Sequence, residues 1–187
     1  MEEELNFCLD AAEEQMNHAV THLEKEFTKL RTGKANPQIF DNVFVDYYGV
    51  KTALQQVSNI NVKDAKTIFI QPWEKTMLGE IEKEILNANL GFTPQNNGEV
   101  VIISIPPLTE ERRRDIVKQA KIMLEHAKVS MRNARRDALE EIKKLQKDGL
   151  AEDLAKNGEE EIQKMIDNFS KKADEVFLMK EKDIMKV

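Results

Sequence analysis

Between residues 110 and 147 the basic side chains keep a fixed interval. Arg114, Lys121, Lys128 and Arg135 are spaced seven apart. On a helix, seven residues advance by 700°, about 20° short of two turns, so the four fall on one face. Arg132 projects from the same side, about 60° from Arg135, and Arg136 lies further round. Glu125 is the only acidic residue from Ile116 to Arg136. It borders the strip and is placed to pair with Lys121 or Lys128. Arginine suits phosphate, because its planar fork bridges two oxygens. Sites repeated about every 10.5 Å along one helix could engage a folded RNA backbone by shape and charge, without reading bases. Binding of that kind weakens steeply with salt. The alternative for the same residues is a solvated face whose cations aid solubility. The one-sided spacing and the single carboxylate favour the phosphate-tracking reading.

Other chemistries find less support. His18 and His22 have the i, i+4 spacing of two metal ligands, but no HExxH pattern and no evident third ligand accompany them. They read as helix-surface histidines, as does His126. No GxxxxGK[ST] or GxGxxG run supplies a phosphate cradle, and no Ser/His/Asp set is suggested by spacing. No catalytic residue, metal or cofactor is expected. Cys8, the single cysteine, reads as a small apolar residue near the core; it excludes an internal disulfide framework and fits a reducing compartment. Glu159, Glu160 and Glu161 read as dipole partners in a polar helix start. Trp73, after Pro72, reads as a packing anchor.

Charge and hydrophobic period locate the elements that must position the strip. The 187 residues carry 28 cations and 34 anions, net −6, but unevenly. Residues 106–136 hold 9 cations against 4 anions, while residues 1–30 hold 2 against 8. Whole-chain acidity therefore does not exclude a polyanionic partner for the basic segment. Apolar runs such as Val100 to Ile103 are far shorter than a membrane span, and the acidic start Met1-Glu2-Glu3-Glu4 is opposite in charge to a signal peptide. A cytoplasmic protein is expected.

Leu5, Leu9, Ala12, Met16, Ala19, Leu23, Phe27 and Leu30 step by three and four, which predicts a helix to about Leu30. A second helix starts after the N-cap candidate Thr109 and carries Ala120, Leu124, Ala127, Met131, Ala134, Ala138, Ile142 and Leu145 up to Gly149. A last helix carries Ile162, Ile166, Phe169, Ala173 and Val176. Three such seams must bury against one another. Between the first two helices, strands are predicted at Val43–Tyr47, Lys66–Ile70 (stopped by Pro72) and Glu99–Ile105, with a helix from Met77 closed by Gly91. The class is α+β: a discontinuous three-helix bundle, 1–31 with 106–187, and a small module inserted at 32–105. Two adjacent connectors, 31–38 and 105–108, make a natural hinge, with Thr32, Gly33, Ile105, Pro106 and Pro107 at its turning points.

Taken in order, several motifs resemble the bacterial-type ribosome recycling factor family over almost the whole chain. They are Leu30-Arg31-Thr32-Gly33-Lys34-Ala35-Asn36-Pro37, Asp46-Tyr47-Tyr48-Gly49-Val50, Pro72-Trp73-Glu74-Lys75, Asn89-Leu90-Gly91-Phe92-Thr93-Pro94 and Pro107-Leu108-Thr109-Glu110-Glu111-Arg112-Arg113. Then come Ala127-Lys128-Val129-Ser130-Met131-Arg132-Asn133-Ala134-Arg135-Arg136-Asp137-Ala138 and the ending from Lys180 to Val187. The resemblance implies an L-shaped molecule, a long three-helix bundle with an inserted β/α/β sandwich, joined by a flexible hinge. It implies a non-enzymatic translation factor, monomeric, that enters the ribosome between the subunits after termination. There the bundle lies on large-subunit ribosomal RNA, and elongation factor G with GTP drives the subunits apart. By position it implies RNA contacts for Arg31, at the end of the first helix, and for Arg132, Arg135 and Arg136; Lys121 and Lys128 join them through the strip. The chain departs from the family pattern at Lys34-Ala35-Asn36, at Ala53 and over Gly149–Gly158, the last bearing on the final helix-helix turn. Two rivals remain. A coiled-coil adaptor with a protein partner predicts weak salt dependence, and a small enzyme predicts a cleft with perturbed carboxylates.

Overall fold

The structure, a computed structural model, describes residues 1–186. Val187, the last residue of the carboxy-terminal motif, lies outside them. In chain order the elements are α1 (Glu2–Thr28), β1 (Phe44–Tyr47), β2 (Val50–Ala53), α2 (Leu54–Val57), β3 (Ser58–Asp64), β4 (Thr67–Pro72), α3 (Leu78–Asn87), β5 (Pro94–Asn96), β6 (Val101–Ser104), α4 (Glu110–Lys147) and α5 (Glu152–Met185). Short 3-10 turns at Pro37–Phe40 and Lys75–Met77 lead into the module and into α3. The chain divides into two compact units, Met1–Leu30 with the chain from Arg114 onward, and Arg31–Arg113. The division thus falls within the first turns of α4, several residues beyond the Pro106 boundary expected from sequence.

In the helical unit the expected seams are buried except at Leu30, which lies beyond the end of α1, and Val176, both half-buried. Leu5, Leu9, Ala12, Met16, Ala19, Leu23 and Phe27 of α1 meet nine apolar positions of α4, from Ile116 to Leu145, and the seam of α5. Alanine fills four of those nine positions on α4. Thr109 Oγ1 accepts from the Arg112 N–H at 3.2 Å and caps α4, with Glu110 and Glu111 in the first turn. The far end of α4 closes as a Schellman motif: Gly149 takes φ +110°, Leu150 N–H donates to Leu145 O and Gly149 N–H to Gln146 O. Leu150 and Leu145, both buried, provide the apolar contact that accompanies it.

α5 begins at Glu152, so Glu159–Glu161 lie in its second and third turns and not at its start. The acids of the first turn are Glu152 and Asp153. Gly158, the last residue of the departure over Gly149–Gly158, is inside the helix and buried. A Cβ there would stand 2.9 Å from Leu5 Cδ1 and 3.2 Å from Ile142 Cδ1, so side chains of α1 and α4 press against α5 at this point.

In the second unit β1 and β2 form a hairpin whose turn residues Tyr48 and Gly49 both take positive φ (50° and 83°), the geometry of a type I′ turn. An antiparallel sheet follows in the order β3-β4-β6-β5. Leu78, Ile81 and Ile85 of α3 share one core with Val45 of the hairpin and with Ile68, Ile70, Val101 and Ile103 of the sheet. β4 continues through Pro72 instead of stopping before it. Pro72 pairs only with Ser58 on β3, and β6 has already ended its pairing at Ile70, so the missing N–H interrupts no ladder. α3 ends at Asn87 and its left-handed position is Asn89 (φ 50°), two residues before Gly91.

Candidate nucleic-acid interface

The basic residues of α4 do not form one equivalent row. Viewed down α4 from the buried Met131, Arg135, Lys128 and Lys121 lie about 40°, 60° and 80° round, Arg132 about 100° and Arg136 about 140°. The 20° lag per heptad therefore carries the strip from the flank of α5 toward open solvent. The side chains follow that order. Arg135 Nη1 donates to Gln163 Oε1 on α5 at 3.2 Å, and Gln163 Nε2 donates onward to Asp167 Oδ1 at 3.0 Å. Its Nε is buried without a hydrogen-bond partner among the described residues. Lys128 Nζ lies 2.7 Å from Asp174 Oδ1, also on α5, and its side chain is only 24% exposed.

Lys121, Arg132 and Arg136 face solvent. Arg132 Nη2 is 4.0 Å from Glu125 Oε2, and Arg136 Nε is 3.6 Å from Asp137 Oδ1. The expected partners of Glu125, Lys121 and Lys128, are thus corrected to Arg132, which lies closer in bearing on the helix. Both remaining pairs are exposed and contribute little. Lys118 was not singled out from the sequence, yet it is exposed and stands eighteen residues, five full turns, before Arg136. That interval was the available signal. The exposed apolar residues Ile122 and Val129 lie on the same open side.

Arg31 is not at the end of α1. Lys29 and Leu30 N–H groups tighten the last turn onto Glu26 and Phe27 carbonyls, the helix stops at Thr28, and Arg31 belongs to the second unit. Its Nη1 donates to Leu90 O at 2.8 Å, just after α3.

The turning-point residues are held to different degrees. Gly33 takes φ +75°, and a Cβ there would stand 2.9 Å from Leu108 Cγ, so the two connectors touch at that point. Ile105 is buried in the module core, with its N–H on Lys66 O at 2.7 Å. Thr32 is half-buried, and Pro106 and Pro107 are exposed.

Trp73 is not a packing anchor: it is 71% exposed. Its N–H donates to Val57 O, while the neighbouring Pro72 is the residue that turns inward. His18, His22 and His126 are exposed, and among the described residues no group of three or more His, Cys, Asp or Glu is placed to hold a metal ion. No helix among them is long and apolar enough to cross a membrane. Cys8 is buried, with Sγ 3.6 Å from Ala138 O. Burial, and secondarily the charge of Glu141, pushes its thiol pKa up.

A family profile described as Ribosome recycling factor matches residues 23–185. The chain belongs to the ribosome recycling factor family. The ribosome-recycling factor of Flavobacterium johnsoniae is 57% identical over 187 residues, covering 100% of both chains. That of Parabacteroides distasonis is 52% identical over 180 residues, covering 96% of each. Among solved structures, a solution structure of the ribosome recycling factor matches with a TM-score of 0.76 at 36% identity, covering 98% of both chains. A ribosome recycling factor of T. thermophilus, in models with E. coli elongation factor G on the E. coli post-termination complex, matches with a TM-score of 0.63 at 40% identity and covers 97% of this chain and 98% of that one. Ribosome recycling factors are translation factors, and both the α+β class and the long helical unit of this chain agree with its relatives.

Proposed function

We propose that this ribosome recycling factor binds large-subunit ribosomal RNA through the open side of α4 and, together with elongation factor G and GTP, drives the subunits of the post-termination ribosome apart. The observation that carries the RNA contact is the exposure of Lys121, Arg132 and Arg136 on one side of a helix about 57 Å long. Support for the setting comes from the structural neighbour described with elongation factor G on a post-termination complex. Arg132 and Arg136 are the principal phosphate contacts. Lys128 and Arg135 act chiefly by holding α4 against α5, and Arg31 makes a separate contact from the second unit. The chain works as a monomer and by binding alone. Its two units move about Thr32–Gly33 and Pro106–Pro107, Ile105 moving with the module core, and the ribosome state that best fits both units is the one stabilised.

The test is sedimentation of Arg132→Ala/Arg136→Ala with large subunits across a salt series. Affinity is expected to fall tenfold or more at moderate salt. The plot of log affinity against log salt should become shallower by about one for each phosphate that the variant no longer neutralises. Unchanged affinity and slope would remove the cationic face from the mechanism, and a salt-independent interaction would favour a protein partner.

A further inference from the structure

A groove of about 490 Å³ runs between α1 and α4, at the end of the bundle where α1 begins and α4 finishes. Its apolar lining includes Ala11, Ala138 and Phe7, a phenylalanine 76% exposed to solvent. Four carboxylates rim it, Glu3 and Glu4 from α1 and Asp137 and Glu141 from α4. An exposed aromatic beside an apolar trough is costly to leave in water. The volume falls within the range of ordinary ligand pockets.

The rim decides what can lie there. Four carboxylates repel phosphate, so this part of the bundle is unsuited to the RNA that the open side of α4 attracts. A neutral hydrophobe would use the floor and waste the rim. We propose that the groove receives a cationic amphipathic helix of a protein partner, its apolar stripe on Phe7 and Ala11 and its lysines or arginines on the carboxylates. The rim acids are open to such exchange. Glu141 pairs with Lys144 at 3.0 Å, Asp137 with Arg136 at 3.6 Å and Glu4 with the Met1 amino group at 3.1 Å, all exposed pairs between near neighbours on one helix. Glu3 makes no ion pair among the described residues. The groove belongs to the isolated protein and is independent of where the cations of α4 bind.

The probe is a fluorescein-labelled fourteen-residue peptide with leucine at i, i+3, i+4 and i+7 spacing and lysine elsewhere, followed by anisotropy against the full chain. Micromolar binding is expected. Glu3→Gln/Asp137→Asn/Glu141→Gln should weaken it at least tenfold, and Ala11→Trp, which fills the trough, should weaken it comparably. Glu159→Gln/Glu160→Gln/Glu161→Gln makes the same charge change on α5 and should leave it within twofold. Cys8 borders the groove and is the only cysteine, so the peptide should also slow its reaction with a thiol reagent. The proposal is overturned if the rim variant binds as the parent does, or if the α5 variant loses as much. It is equally overturned if a peptide with glutamate in place of lysine binds equally well, or if sedimentation equilibrium finds a dimer that Ala11→Trp dissociates.

Discussion

Lys128 Nζ stands 2.7 Å from Asp174 Oδ1, joining α4 to α5 midway along the bundle. A residue whose spacing marks it as an RNA contact is therefore already committed to a neighbouring helix. The pair is partly exposed, so its contribution is at most about 1 kcal/mol. For a chain of this size that is a loss of about 2–4 °C in Tm. Lys128→Met is expected to lower Tm by no more than this and to leave large-subunit affinity within twofold, whereas Arg132→Ala loses several-fold. Thermal melts and competition sedimentation check both. An equal loss for the two variants would mean that Lys128 leaves Asp174 when the ribosome binds.

Gly158 controls a different approach of helices. Alanine there gains about 1 kcal/mol of helix propensity, offset by the shift it forces on the ends of Leu5 and Ile142. Gly158→Ala should therefore lie near neutrality. Gly158→Leu has no such escape and is expected to destabilise by about 1–3 kcal/mol through overpacking. Urea denaturation followed by circular dichroism reads the difference. A leucine variant as stable as the parent would show that α5 does not press on α1 and α4 at this point.

The long helices were legible because each repeats one period over many turns, and steps of three and four have no strand reading. β3 was missed although Asn59-Ile60-Asn61-Val62-Lys63 alternates polar with apolar residues; at the sheet edge only Ser58 is buried and Ile60 is half-buried, so the apolar face is short and weak. β5 has three residues, too few for any period. The cationic site was legible in residue type and in bearing on α4. Helix geometry assigns a side chain its angle on its own helix but does not say which angle another helix covers. Hence Lys128 and Arg135, the members nearest the seam, were grouped with residues that remain exposed.

Glu74 holds both tyrosines of the chain, Tyr47 Oη donating to Oε1 and Tyr48 Oη to Oε2, each at 3.0 Å. The tyrosine rings meet edge to face, 4.7 Å between centroids. These bonds need the protonated phenols, so they raise both tyrosine pKa values above the ordinary value of about 10; the negative charge of Glu74 adds to the effect. A pKa raised in the folded state means that the associated stability is complete below the unfolded value and is lost as pH climbs through the folded one. The bonds tie the turn of the β1–β2 hairpin to the segment after β4, so that loss should appear as loosening of the hairpin in alkaline solution. Glu74→Ala removes the acceptor and the charge together. Its tyrosinate absorbance is expected to develop at lower pH than in the parent, and hydrogen exchange at Val50 and Lys51 should become faster at neutral pH and less dependent on pH above about 10, where the phenols ionise. With no other tyrosine in the chain, the absorbance reports on this contact alone. Coincident titration curves for parent and variant would show that Glu74 does not hold the phenols in solution.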